Sequence, residues 1–164
     1  MNKRILSIFF IIIVAGVVPA SILKQTPEKE PPEKAAQRAA ESWLDLVDHG
    51  QFDKTWEEAS PSFKAVVGQD KWVRTLEDLR THYGKVKDRK LKLARYTKSL
   101  PNAPAGEYVV VQFQTTFADN SSVIETVVPM LDPDGKWRVS GYFIKNAPKP
   151  NVEQSKQTPS PTPN

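Results

Sequence analysis

Cysteine is absent from all 164 residues, which excludes disulfides, thiolate metal sites, a cysteine nucleophile and a lipid-anchored cysteine. Histidine is nearly absent as well: only His49 and His82 occur, each in the last turn of an expected helix, where an imidazolium suits the free carbonyls. No HExxH, GxSxG, P-loop or GxGxxG pattern is present, so the common hydrolytic and nucleotide-binding signatures are missing. Asp132-Pro133-Asp134-Gly135 is too short for a calcium loop, and adjacent Glu57 and Glu58 point apart on a helix and cannot share a proton. An excess of one charge is also missing where it would count. Across 36–145, sixteen Lys and Arg stand against fifteen Asp and Glu, and most of the chain's formal +4 lies in the tails. A nucleic-acid-binding domain would carry that excess on its folded part, so no nucleic-acid partner is expected.

Proline and aromatic residues divide the chain. Nine of fourteen prolines lie outside 36–145, whereas thirteen of fifteen aromatics lie inside it. About 110 residues can therefore build one core, too few for a two-domain enzyme. Lys3 and Arg4 precede an apolar run, Ile5–Val18, and Val18-Pro19-Ala20 offers small residues for cleavage. Residues 1–23 thus read as a signal peptide or, with Ile5–Leu23 as an apolar helix of roughly 28 Å, a retained single-pass anchor; both readings export the domain. Residues 24–35, rich in Pro, Glu and Lys, read as a solvated linker, and 146–164 as a disordered Pro-rich tail.

Within 36–145, Ala36, Ala40, Trp43, Leu44 and Val47 form the stripe of an amphipathic helix stopped at Gly50. A short helix follows with Phe52 and Trp56. Ser60 and Pro61 are expected to open a third, and Asp70 to cap a fourth with Trp72, Leu76 and Tyr83 on its stripe. Beyond Gly84 the period becomes two, with runs at Leu91–Leu93, Tyr108–Phe117, Val123–Leu131 and Lys136–Ile144. The tight Asp132–Gly135 turn makes the last two antiparallel. The expected fold class is α+β: N-terminal helices packed on a curved four-stranded antiparallel meander, preceded by one apolar N-terminal helix.

That cone-like architecture resembles nuclear-transport-factor-two-like, or cystatin-like, folds. The series Trp43-Leu44, Val47-Asp48, Gly50, Trp56, Trp72, Arg89-Lys90-Leu91, Gly106-Glu107-Tyr108, Glu125-Thr126, Asp134-Gly135 and Trp137-Arg138-Val139 resembles the bacterial family called domain of unknown function 4019. The resemblance implies an exported bacterial protein, periplasmic or held at the inner membrane with its domain outside the cytoplasm. It supplies no activity and no functional residues. Cone folds also host isomerases and dehydratases built on a polar pocket, so a small enzyme stands as the alternative to a non-catalytic domain that binds a small ligand or an envelope protein. No cofactor or metal is expected.

Two sets of residues stand out. Lys90, Lys92 and Lys98 are expected to share a strand face with Tyr96, forming an anion or headgroup patch or simply a solvated edge that discourages pairing. Arg95 falls by parity on the face of Leu91 and Leu93, and Glu125 is the one acid within Val123–Leu131. Arg95 and Glu125 are expected to face the concave side and pair or form the polar end of a ligand pocket, unless a one-residue slip moves Glu125 outward.

Overall fold

The computed structural model describes residues 30–148. The expected export segment 1–23, the expected linker up to residue 29 and the expected tail from residue 149 lie outside the described residues. Among those described, no helix is long and apolar enough to cross a membrane. The elements run α1 (Pro32–Asp48), α2 (Phe52–Glu57), α3 (Pro61–Val66), α4 (Gln69–Tyr83), β1 (Val86–Thr97), β2 (Tyr108–Phe117), β3 (Ser122–Leu131) and β4 (Trp137–Asn146).

Helix α1 buries the expected stripe of Ala36, Ala40, Trp43, Leu44 and Val47. It starts four residues earlier than the composition suggests, because Pro32 occupies the first helical position, where its missing N–H costs nothing and its φ is already helical. Residues 32–35, expected as linker, are therefore part of α1. Ser60 caps α3 as expected, its hydroxyl accepting from the Phe63 N–H at 3.2 Å. Asp70 does not cap α4. Gly68 holds that position, and Asp70 lies in the first turn, where its charge meets the helix dipole. Gly84 closes α4 at φ +73°, a left-handed conformation that favours glycine.

The four strands form one antiparallel sheet in the order β1-β2-β3-β4. Gly135, at φ +78°, closes the β3–β4 turn by donating to the Asp132 carbonyl at 2.9 Å. The helices cover one face. There Val109, Val111, Phe113, Thr115 and Phe117 of β2 are all buried. Val123, Glu125 and Val127 of β3 continue the layer. Trp43 and Trp72 fill the space between layers. Their indole N–H groups both reach Thr55, one to its carbonyl and one to its hydroxyl, each at 2.8 Å. Burying such rings removes apolar surface from water, and the paired N–H groups avoid an unsatisfied-donor cost.

Three bulges interrupt the ladder. The extra residues are Lys87 and Lys92 on β1 and Ser140 on β4. Each shifts alternation by one and so reverses which side chains face the helices beyond it. The bulge at Lys92 decides the site.

Candidate functional site

Glu125 lies on β3 with its side chain wholly removed from solvent. The pairing of β2 with both its neighbours brings Arg89 opposite Thr115, one step diagonally from Glu125. Arg89 Nε donates to Glu125 Oε2 at 2.7 Å, and the Thr115 hydroxyl donates to the same oxygen. From the other side, the Tyr142 hydroxyl donates to Oε1 at 2.6 Å. The three donors come from β1, β2 and β4, so one carboxylate ties all four strands together. Removing a carboxylate from water costs several kcal/mol, and three charge-assisted or hydroxyl donors offset that cost.

The charge chain continues outward. Arg89 Nη1 and Nη2 grip Asp48 at the end of α1, at 2.6 and 3.1 Å. Asp48 also accepts from Arg80 Nη2 of α4. Burial opposes the Arg89 charge, yet the hydrogen bond to Asp48 and the attraction of Glu125 hold its pKa above the usual arginine value. Tyr142 is raised well above 10 by burial and by the Glu125 charge beside it, so it stays a neutral donor. Its ring packs against Trp43 at 5.3 Å and Trp72 at 6.4 Å.

Arg80 ends the chain. Its guanidinium sits over the Phe117 ring at 5.6 Å, and its Nε and Nη1 are buried without a partner among the described residues. Asp48 and Arg80 line a pocket of about 330 Å³ together with Val47, His49, Phe52 and Lys85. His49 does not reach the charge chain; its ring nitrogen lies against the Asp45 carbonyl at 2.8 Å. Among the described residues, no cluster of three or more His, Asp or Glu is arranged to hold a metal ion.

The structure does not bring Arg95 to Glu125. Beyond the Lys92 bulge, Ala94 and Tyr96 turn toward the core and Arg95, opposite Val110, is exposed on the other face. Arg89, which precedes the bulge and keeps the parity of Leu91, takes the position expected of Arg95. Nor do the lysines share a face with Tyr96. Lys90 pairs opposite Gln114 on the outer face, Lys92 is the bulged residue and Lys98 lies past the end of β1. All three are exposed, and Lys90 sits 3.2 Å from Asp88, so one of the three charges already has an acidic partner. Tyr96 instead donates to Glu107 at 2.8 Å.

Asp48, Arg80, Arg89 and Tyr142 were not among the expected site residues, though the sequence carries a signal for two of them. Asp48 follows Leu44 by four positions and so continues the α1 stripe, and Arg89 shares the alternation of Leu91.

No curated protein matches the sequence. Among solved structures, a protein from Catenulispora acidiphila is similar at 15% identity and a TM-score of 0.48, over 69% of this chain and 89% of that one. ActVI-ORFA from Streptomyces coelicolor is similar at 11% identity and a TM-score of 0.46, over 69% of this chain and 93% of that one. Residues 39–142 match the family described as "Protein of unknown function (DUF4019)".

Proposed function

The chain belongs to this DUF4019 family, and we propose that it is a non-catalytic binding domain of the bacterial cell envelope, carried out of the cytoplasm by its N-terminal apolar run. The observation that carries the non-catalytic reading is the state of Glu125. A general acid or base must reach the proton it moves, and Glu125 has no solvent contact and three donors already on its two oxygens. Among the described residues, Asp132 is also buried and is engaged by Arg138, and Asp48 at the end of α1 is held between two arginines. An isomerase or dehydratase would need the Tyr142 hydroxyl to leave Glu125 and open a path beside it, and the raised pKa of Tyr142 keeps it a neutral, weakly acidic phenol. Lys3, Arg4 and the run Ile5–Val18 support export.

Native mass spectrometry of the chain extracted from its own envelope fraction tests this reading. The expected result is the protein in that fraction with one unaltered small molecule or protein bound. Recovery from the cytoplasm, or with a substrate and its converted product together, would overturn it.

A further inference from the structure

The sheet has two edges and guards only one of them. Along β1 stand Lys87, Lys90 and Lys92, and two bulges twist its ladder, both of which discourage a further strand. β4 carries no lysine before Lys145 and no bulge beyond Ser140. It is the last strand in the sheet, and only the start of its outer edge is covered, where the Ser60 N–H donates to the Val139 carbonyl at 2.9 Å. The Ala147 N–H donates to the Ser122 carbonyl, so by alternation the backbones of Gly141, Phe143 and Lys145 turn to β3 as well. Those of Tyr142 and Ile144 point outward, and no backbone group among the described residues meets them.

A groove of about 350 Å³ lies beside that edge, between α3, the first turns of α4 and residues 140–143 of β4. Phe63, Trp72 and Tyr142 line it, and so do Val66 and Phe143, which at 81% and 58% are the two most exposed large apolar side chains among the described residues. Free edge, groove and exposed apolar surface thus coincide. Charge selects the occupant. Lys71 lines the groove and Lys145 ends the edge; both are exposed, neither makes an ion pair among the described residues, and no acid lines the groove. A second copy would bring a second Lys71 and Lys145 to the same edge, four ammonium groups with no carboxylate between them. The outer segments of the chain fit no better: 1–23 holds no acid, and 24–29 with 149–164 holds one apolar side chain besides proline, Val152.

We propose, resting on the binding-domain reading and naming the partner it takes, that the free edge of β4 docks an extended segment of another protein, apolar at alternate positions and acidic at the others. As an added strand, that segment satisfies the outward N–H and C=O groups of Tyr142 and Ile144. Strand alternation lays one row of its side chains against Phe63, Val66 and Trp72 and sets the other beside Phe143. Its carboxylates meet Lys71 and Lys145, which fixes the sign of the partner.

The test titrates the full chain with a labelled peptide of alternating valine and glutamate, about eight residues long. Saturable binding with a Kd below about 1 mM is expected, and the same peptide with lysine for glutamate should bind at least about tenfold more weakly. At saturation, hydrogen exchange at the Tyr142 and Ile144 amides should slow at least about tenfold. Lys71→Glu should weaken the glutamate peptide and strengthen the lysine peptide, each about three- to tenfold. Val66→Ser should weaken both, and since Lys71 and Val66 are exposed, neither change threatens folding. No saturable binding overturns the proposal. So do equal affinities for the two peptides, or binding that leaves those two amides unprotected, since the segment then lies elsewhere. A dimer of the chain that protects the same amides would overturn it in favour of a second copy, and amides that gain exposure only when 149–164 is removed would assign the edge to the tail. None of these negative results touches the export and non-catalytic readings, which the mass measurement reads separately.

Discussion

A carboxylate with no solvent contact persists in this fold because donors reach it from three other strands. Tyr142 is the member of that group whose role can be read by pH. Its folded pKa is raised well above 10, by burial first and the Glu125 charge second, so the protonated phenol is the form that folding favours. That contribution is fully present below the unfolded tyrosine value near pH 10 and is lost as pH rises toward the folded value. Unfolding free energy should therefore fall above about pH 10 in the native protein. Tyr142→Phe should cost about 1–3 kcal/mol at pH 7, because Glu125 loses a donor, and should flatten the alkaline decline. Tyr96, half-buried and bonded to Glu107, supplies the comparison. If Tyr96→Phe flattens the decline and Tyr142→Phe does not, the assignment is wrong. Denaturant titrations from pH 7 to 11 read both.

At the scale of elements, helices and turns were more legible than strand faces. Helical stripes repeat over several turns, so Ala36, Ala40, Trp43, Leu44 and Val47 reinforce one another and survive an error at either end. A strand face depends on parity alone, and one unmarked insertion inverts it. Lys92 sits in a run of lysines and leucines with no glycine to signal a bulge, so nothing in the residues told Arg95 from Arg89. Glu125 was legible because β3 runs unbroken from Val123 to Val128 in its pairing with β4. The α1 start was misplaced because a proline-rich stretch reads as linker, although Pro32 also fits a first helical turn. Caps separate cleanly by experiment. Ser60→Ala should cost about 1 kcal/mol, since its hydroxyl satisfies the Phe63 N–H. Asp70→Ala should cost less than about 0.5 kcal/mol, because Gly68 is the residue at the cap. Equal losses in chemical denaturation would contradict the assignment of Gly68.

For the whole molecule, the described residues 30–148 hold one core, and the account requires that core to stand alone. A fragment of those residues should match the full chain's unfolding free energy within about 0.5 kcal/mol, whereas one beginning at residue 36 loses the first turn of α1 and should unfold earlier. A loss above about 2 kcal/mol in the longer fragment would show that an outer segment packs on the domain. The central claim is that Glu125 is a structural tie across the sheet, paired with Arg89, and no free functional carboxylate. A double-mutant cycle on Arg89→Met and Glu125→Leu, read by denaturant unfolding at neutral pH, tests it most directly. Arg89→Met strands the buried Glu125 charge and should cost about 3–5 kcal/mol, Glu125→Leu leaves Arg89 its Asp48 pair and should cost less, and the double should cost at least about 1 kcal/mol less than the sum. Costs that add to within about 0.5 kcal/mol would contradict it.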